Sequence, residues 1–177
     1  MFGIRRVLSC GVVVGVALAA LPQITFSQQV PDNDVEETPW KEIEAKLPLS
    51  PEDENLIPFK VGPATDMRFT IDGKSISVDS DDVIRYTLVT ISPSGAKTIS
   101  YEGMRCSTME RRTYAFGRAD KTWSKPRSSK WVSIRGGADS MYVTLARDYF
   151  CAIGESAILN PDHAIRILRR GHPRSGD

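Results

Sequence analysis

The alternation of apolar and polar positions is most regular between residues 68 and 134, where it predicts β-strands. Asp72-Gly73 is a strong hairpin signal between two short strands, and Pro93-Ser94-Gly95 marks a second turn. Pro58 demotes the earlier run Leu56-Ile57-Pro58-Phe59 to an edge strand or a linker. The strands that these signals predict cover residues 68–71, 75–78, 83–92, 97–106, 108–118 and 130–134. They indicate one antiparallel sheet of five or six strands.

A helical spacing of apolar residues precedes the strands. Trp40, Ile43 and Leu47 recur at a helical interval. Thr38 is a suitable N-cap, and Pro39 suits the first helical position. This pattern predicts a short N-terminal helix that ends at the prolines following Leu47.

Two further helices are predicted near the C terminus. The first begins at Asp139 or Ser140 and ends at Cys151. Its apolar residues follow an i, i+4 rhythm and are Met141, Tyr142, Leu145, Ala146, Tyr149 and Phe150. The second runs between Asn160, which caps it, and Gly171, which ends it, with proline at its first position and two arginines in its last turn.

These elements predict an α+β fold in one domain over residues 38–171. A twisted antiparallel sheet is packed on one face by the helix ending at Cys151, and short N-terminal and terminal helices flank it. Residues 28–37 are polar and acidic, which predicts a flexible arm. Residues 172–177 are expected to form a disordered tail.

Residues 1–27 have the pattern of a secretory signal peptide. Two arginines precede an apolar run, residues 7–21, that is short for a transmembrane helix. The small residues of Thr25-Phe26-Ser27 favour cleavage before Gln28, and Ala19 ends a competing site. A retained signal anchor is the alternative. We expect a periplasmic or secreted protein with no stable membrane span after cleavage.

Two cysteines, Cys106 and Cys151, remain after that cleavage. In an oxidising compartment they most simply pair with each other. The bond would close a loop of about 45 residues, worth on the order of 3–4 kcal/mol in the chain-entropy model. It would join the end of a predicted strand to the end of a predicted helix.

Charge is nearly balanced overall but uneven along the chain. The loss of Arg5 and Arg6 with the signal leaves 21 basic against 22 acidic residues. Residues 28–60 carry nine acids against three lysines, whereas residues 97–135 carry ten bases against three acids. The balance argues against a nucleic-acid partner. An acidic N-terminal segment therefore precedes a basic body.

The residue types that support common catalysis or metal binding are scarce. His163 and His172 are the only histidines, and the cysteines are assigned to a disulfide, so no metal site is predicted. Asp79-Ser80-Asp81-Asp82 lacks the glycine and distant glutamate of a calcium loop. Gly154-Glu155-Ser156-Ala157 lacks the second glycine of a nucleophile elbow. We expect no enzyme activity, no catalytic residues and no cofactor.

A basic and aromatic cluster is the strongest candidate for a binding surface. Strict alternation places Arg112, Tyr114, Phe116 and Arg118 on one sheet face, opposite Thr113, Ala115 and Gly117. Arginine supplies paired donors and the rings supply stacking surfaces. The predicted ligand-binding residues are Arg105, Arg112, Tyr114, Phe116, Arg118, Trp123 and Trp131. In the alternative interpretation, Tyr114 and Phe116 belong to the core and the arginines lie at its rim.

Several runs between Trp40 and Ile134 resemble the CNP-one-like (CNP1-like) family of uncharacterised exported proteobacterial proteins. The most specific is Tyr101-Glu102-Gly103-Met104-Arg105-Cys106. The others are Trp40-Lys41-Glu42, Leu56-Ile57-Pro58-Phe59, Val83-Ile84-Arg85-Tyr86, Arg111-Arg112-Thr113-Tyr114-Ala115-Phe116-Gly117 and Trp131. The resemblance implies an exported single domain and no catalytic residues. The layout of the elements is also similar to surface-adhesin protein E, an adhesive and haem-associated surface protein.

The sequence thus predicts an exported, non-catalytic module of the cell envelope or the secreted fraction. Its partner would be an anionic or aromatic ligand, or an envelope protein. A structural or self-associating protein is the alternative, and an enzyme of unrecognised type is the third possibility.

Overall fold

One antiparallel sheet dominates the computed structural model, which describes residues 39–62, 65–137, 140–152, 155–156, 158 and 160–171. The predicted signal peptide, acidic arm and C-terminal tail lie outside these residues. The seven strands of this sheet are β1 Leu56–Phe59, β2 Arg68–Val78, β3 Val83–Ile91, β4 Lys97–Arg105, β5 Glu110–Gly117, β6 Trp123–Ser124 and β7 Val132–Ser133. They are ordered β1-β2-β3-β4-β5-β6, and β7 pairs with the other end of β5. The predicted α+β class and antiparallel sheet are confirmed.

The edge position predicted for residues 56–59 is confirmed, because β1 pairs only with β2 among the described strands. The hairpin predicted at Asp72-Gly73 is wrong. Residues 68–78 form one strand, and its pairing with β3 shifts between Asp72 and Ser77. Asp72 still makes a local turn, since its side chain accepts a 3.1 Å hydrogen bond from the Lys74 amide. Asp72-Gly73 thus lies at a bulge within one strand, and not in a turn between two strands.

Helices cover one face of the sheet, which we call the helix face. Helix α1, Ser140–Thr144, continues as a π-helix over Leu145–Phe150. The strand pair β8 Cys151–Ala152 and β9 Glu155–Ser156 follows, and α2 spans Pro161–Arg170. Ile84, Tyr86 and Leu88 of β3 belong to the core that these helices bury. The ring of Tyr86 meets that of Phe150 edge-on at 5.4 Å.

The predicted boundaries of the last helix are confirmed. The Asn160 side chain accepts a 2.9 Å hydrogen bond from the His163 amide, as an N-cap does. Pro161 is the first helical residue, and Gly171 follows the last with φ 68°. This left-handed backbone conformation is one that glycine adopts at little cost.

The predicted disulfide is present between Cys106 and Cys151, whose Cα atoms lie 5.4 Å apart. Cys106 directly follows β4, and Cys151 directly follows the π-helix. Both residues are buried. The bond therefore fastens the helical layer to the sheet.

The N-terminal helix predicted from Thr38 to Leu47 is wrong. Residues 39–49, which we call the strap, contain no helix or strand, and a 3₁₀ turn at Asp53–Asn55 follows them. The helical interval of Trp40, Ile43 and Leu47 does not form a buried stripe, because these side chains are 43%, 42% and 52% exposed. The Ile43 amide instead bonds to the side chain of Asp81, in the turn between β2 and β3, and the Ile43 carbonyl bonds to Arg85 of β3. Those bonds replace the backbone pairing that a helix would need.

Candidate functional site

The strap contacts the face of the sheet opposite the helices, which we call the strap face. Successive side chains of a strand point to opposite faces. Arg85 of β3 therefore lies on the strap face, between Ile84 and Tyr86 of the helix-face core. Pairing across the sheet places Gly103 of β4 and Arg112 of β5 beside it.

A buried ion pair lies directly beneath the strap. Arg85 is 1% exposed and Asp81 is 5% exposed, and their closest nitrogen–oxygen distance is 2.6 Å. Asp81 also accepts a 2.8 Å hydrogen bond from the Ile43 amide, while Arg85 donates one of 2.8 Å to the Ile43 carbonyl. The pair thus holds both backbone polar groups of one strap residue.

The ionisation of this pair follows from its surroundings. Burial by itself would raise the pKa of Asp81, but hydrogen bonds from Arg85 and from the Ile43 and Val83 amides lower that pKa below its ordinary value of 3.8. Burial by itself would lower the pKa of Arg85, but its bond to Asp81 raises that pKa. Asp81 is a carboxylate and Arg85 a cation at neutral pH.

Glu42 of the strap lies in a cluster of donors that we call the clasp, formed by Arg112, Tyr114 and Trp131. The Arg112 guanidinium forms an ion pair with the carboxylate. Tyr114 donates its phenol proton over 2.7 Å, and Trp131 donates its indole N–H over 3.1 Å. Arg85 lies 3.9 Å away. Charge-assisted hydrogen bonds of this kind are the strong ones in proteins.

Tyr114 is fixed by its neighbours. Its ring packs against Tyr101, with centroids 5.5 Å apart. Burial raises the pKa of Tyr114, and its hydrogen bond to Glu42 raises that pKa further, because an ionised phenol would repel the carboxylate. A Cβ atom on Gly103 would lie 2.9 Å from the Tyr114 ring, so glycine makes room for this side chain.

An aromatic corner holds the start of the strap. The Arg105 guanidinium lies 4.1 Å from the centre of the Trp40 ring, and Trp131 meets that ring edge-on at 6.0 Å. A guanidinium above an indole at this distance is a cation–π contact. The Trp40 indole N–H also donates a 2.8 Å hydrogen bond to the Asp81 carbonyl.

All three tryptophans of the chain use their indole N–H groups between the strap and the body. Trp40 donates from the strap to Asp81. Trp131 donates to Glu42, and Trp123 donates over 2.8 Å to the Pro48 carbonyl. The strap is therefore held at its beginning, its middle and its end.

A groove of about 630 Å³ lies beside the clasp, between the strap and the edge of the sheet. Lys125 is exposed at this groove, and Trp123 is half-buried. Its walls are formed by Glu42, Ile43, Glu44, Ala45, Leu47, Arg112, Tyr114, Ala115, Trp123, Ser124, Lys125, Pro126 and Ser129. Cationic, phenolic and apolar groups are thus combined in one concave surface.

Five of the seven predicted ligand-binding residues lie around this strap-covered surface. Arg112, Tyr114 and Trp123 line the groove. Arg105 and Trp131 form the adjacent corner with Trp40. The structure thus brings together the greater part of the predicted cluster, but it places this chain's own acidic strap on it. The outcome lies between the two interpretations of the cluster. Tyr114 is half-buried beneath the strap, but it does not belong to the helix-face core.

The predicted positions of Phe116 and Arg118 are wrong. A bulge in β5 pairs Tyr101 with Ala115 and Glu102 with Thr113, so Tyr114 is an extra residue. Phe116 pairs with Ser100 and therefore lies on the helix face, away from the clasp.

Arg118 is exposed beyond the end of β5. It lies in the turn to β6, where its amide donates a 2.9 Å hydrogen bond to the Thr122 carbonyl. The assumption of strict alternation failed because one inserted residue reverses the facing of every later residue in the strand.

Two acids of this structure were not singled out by the sequence pattern. Glu42 was noted only in the acidic segment and in the family-like run Trp40-Lys41-Glu42, and its attachment to residues 70 to 89 positions away has no local signal. Glu102 is buried on the helix face, where it accepts hydrogen bonds from Ser100 at 2.6 Å and Tyr142 at 2.9 Å. Burial raises the pKa of Glu102 above its ordinary value of 4.5. The alternation of side chains in β4 could have predicted this position, because Glu102 lies two residues before Met104 and therefore on the same face of the sheet.

Within the described residues, no group of three or more histidine, cysteine or acidic side chains is arranged to hold a metal ion. The described helices also include none that is long and apolar enough to cross a membrane. The chemistry that the site does offer is the binding of a carboxylate and of an aromatic ring.

The chain matches the model of a known protein family. The model of the CNP1-like family covers residues 35–169, which include the strap, the sheet and both helical segments. Searches of the curated proteins and of the solved structures find no match. Since the match spans more than half of the sequence, this chain belongs to the CNP1-like family.

Proposed function

We propose that this protein is an exported, non-catalytic binding module that takes an anionic or aromatic ligand in the groove beside the strap. The observation that carries the proposal is the convergence of Arg112, Tyr114 and Trp123 with Lys125 on one concave surface. Small-molecule and peptide sites are commonly concave, largely apolar and supplied with a few polar groups.

The groups of the groove favour an anionic ligand with a flat apolar part. Lys125 offers an exposed cation, while Trp123, Pro126 and Leu47 offer apolar surface. Arg112 is already paired with Glu42, so Lys125 supplies the more available charge. Nucleic acid is a poor candidate because the chain without its signal is close to neutral.

Export is supported by the signal pattern of residues 1–27 and by the Cys106–Cys151 disulfide. Disulfides persist mainly in oxidising compartments such as the periplasm and the extracellular space. We therefore propose a periplasmic or secreted location.

A binding function without catalysis is supported by the state of the polar groups on the strap face. Glu42, Arg112 and Tyr114 bond to one another, and Asp81 bonds to Arg85. Each of these acids and bases is thus held by a partner within the chain and is less available for proton transfer to a bound molecule.

Fluorescence titration with anilinonaphthalene sulfonate tests the proposal, because this probe is both anionic and aromatic. We expect saturable binding to the folded protein, with energy transfer from tryptophan. Lys125→Glu should weaken binding at least about threefold, the scale of one exposed charge interaction. Lys130→Glu is the matched control, because Lys130 is exposed and does not line the groove. Equal binding by the wild type and both variants would contradict the proposal.

A structural or self-associating protein is the second candidate. It is favoured by the exposed apolar side chains of the strap, since Leu47 is 52% and Leu49 91% exposed. Sedimentation equilibrium distinguishes the two functions. A stable dimer that Leu49→Asp dissociates would favour self-association, and a monomer at all concentrations would exclude it.

A further inference from the structure

We propose that the strap face is a receptor site for a peptide with the pattern Trp-x-Glu, and that this chain's own strap occupies it as a tethered ligand. The inference rests on the binding function proposed above and names the class of ligand. The partner is a segment of another protein that displaces residues 39–49. Its recognition is read from the contacts of Trp40, Glu42 and Ile43.

The first point of recognition is the aromatic side chain. Trp40 lies between the Arg105 guanidinium at 4.1 Å and the edge-on Trp131 ring at 6.0 Å. Its indole N–H reaches the Asp81 carbonyl. Flat π-surface and an N–H donor are both used, so tryptophan fits this position better than phenylalanine or leucine.

The second point is a carboxylate. Glu42 receives one ion pair and two hydrogen bonds from the clasp, through both of its oxygens. Glutamine would keep one acceptor oxygen but would present an NH₂ group to a donor. The clasp therefore selects an acid over an amide.

The third point of recognition is the backbone of Ile43. The amide of Ile43 donates to Asp81, and its carbonyl accepts from Arg85. The two side chains are buried and held against each other at 2.6 Å. The pair can bind any residue whose backbone takes this position, because both hydrogen bonds go to backbone atoms. Conformation is thus selected independently of sequence.

The strap is attached as a ligand would be. Residues 39–49 join no strand of the described sheet, and side chains of the body or the strap take part in each of the contacts above. Its removal would leave every backbone ladder of the sheet in place. The side chains of Ile43 and Leu47 are about half exposed, and that of Leu49 is 91% exposed. The strap therefore can leave the face without unfolding the domain.

A partner protein is a better occupant than a second copy of this chain. Exchange of identical straps between two copies would replace each contact by the same contact. A foreign segment gains affinity if it adds contacts in the neighbouring groove, where the strap leaves about 630 Å³ of space. It must compete with a tethered strap whose effective concentration is in the millimolar range.

A fluorescent peptide with the sequence of residues 39–47, Pro-Trp-Lys-Glu-Ile-Glu-Ala-Lys-Leu, tests the inference. Binding is measured by anisotropy with the full chain, as wild type and as Glu42→Ala. We expect the peptide to bind Glu42→Ala at least tenfold more tightly than wild type, because the variant releases its own strap. Lys46→Ala is the matched control, since Lys46 is an exposed charged residue of the same strap that neither contacts the clasp nor lines the groove. It should behave as wild type.

A second peptide with glutamine in place of the clasp glutamate should bind Glu42→Ala at least tenfold more weakly. Equal binding of the two peptides, or no binding to a folded Glu42→Ala chain, would overturn the inference. If that variant does not fold, trypsin cleavage after Lys41 of the wild type replaces it, with the lysines of the added peptides acetylated so that trypsin does not cut the peptides. Excess glutamate peptide should accelerate the cleavage and the glutamine peptide should not, and no acceleration would overturn the inference.

Two further results distinguish a failure of this inference from a failure of the proposed binding function. If anilinonaphthalene sulfonate binding depends on Lys125 but the peptide does not bind, the ligand class is wrong and the binding function stands. If a concentrated wild type forms a dimer that Glu42→Ala abolishes, the strap is exchanged between copies. That result would contradict the choice of a foreign partner.

Discussion

The phenol of Tyr114 donates a 2.7 Å hydrogen bond to Glu42, a residue 72 positions earlier in the chain. The contact joins the acidic N-terminal segment to the basic strand β5. Gly103, on the neighbouring strand β4, leaves the space that the phenol occupies. The clasp therefore depends on a residue that makes no polar contact with Glu42.

Gly103→Ala tests this dependence. The added Cβ would meet the Tyr114 ring at 2.9–3.0 Å, and the ring cannot move freely because Tyr101 and Glu42 hold it. We expect a loss of about 1–3 kcal/mol in the free energy of unfolding, the usual cost of overpacking. Urea denaturation measures it. Gly136→Ala is the matched control, since no atom lies within 4 Å of its added Cβ. Equal effects of the two substitutions would contradict the packing argument.

Asp81→Asn should change how stability depends on acid. The pKa of Asp81 is lowered in the folded protein, so its contribution is present above the ordinary value of 3.8 and is lost as pH falls through the lowered value. At neutral pH we expect a loss of about 3 kcal/mol, the lower end of the cost of breaking a buried pair, because the buried Arg85 would keep only the half-exposed Asp79 as an ion-pair partner.

Urea unfolding between pH 7 and pH 2.5 checks this prediction. The difference between wild type and Asp81→Asn should be constant near neutrality and should shrink below about pH 4, where the wild type loses its carboxylate. Asp82→Asn is the control, because Asp82 is exposed next to the same position. A difference that does not vary with pH would show that charge is not the cause.

Glu102→Gln should have the opposite pH dependence. Burial raises the pKa of Glu102, so the folded protein holds this proton more tightly than the unfolded chain. The wild type therefore loses stability as pH rises from about 4.5 through the raised value. The variant lacks this loss, since glutamine has no proton to release.

Thermal unfolding from pH 4 to pH 8 measures the effect. We expect the melting temperature of Glu102→Gln, relative to that of the wild type, to increase as pH rises. At pH 4 the variant should have no such advantage. The groups around the carboxyl are Ser100, Tyr142, Tyr86 and Arg111. Glu110→Gln, at a half-buried position in β5, is the control. A gain that is independent of pH would contradict the burial of an ionisable acid.

Replacement of both Cys106 and Cys151 by alanine should lower the free energy of unfolding by about 3–4 kcal/mol. The bond closes a loop with a sequence separation of 45 residues, and its loss enlarges the unfolded ensemble. Urea denaturation of the variant and of the reduced wild type should agree. Two free thiols in the purified exported protein, detected by mass spectrometry, would contradict the disulfide.

The parts of the fold that the sequence predicted are those with local signals. Asn160, Pro161 and Gly171 define α2 through backbone effects within one helix. The strand cores were visible because β-branched residues recur there, and the disulfide followed from the count of two cysteines. None of these inferences needed to know which distant residue is a neighbour.

The parts that were missed depend on distant contacts. The strap has the spacing of a helix, yet Asp81 and Arg85 take the backbone groups of Ile43 that a helix would use. The β5 bulge at Tyr114 is fixed by pairing with β4, and it moved Phe116 to the other face. Residue type predicted the cluster of cations and rings, whereas its cover by Glu42 followed only from the tertiary structure.

Hydrogen exchange of the three indole N–H groups tests the docking of the strap most directly. Each tryptophan gives a separate indole signal in an NMR spectrum, and each of these groups bonds across the strap boundary. In the wild type we predict exchange at least about tenfold slower than in a free indole, because opening the strap must come first. Glu42→Gln should accelerate all three, with the largest effect at Trp131. Fast exchange of the three groups in the wild type, or slow exchange unchanged by Glu42→Gln, would contradict the account.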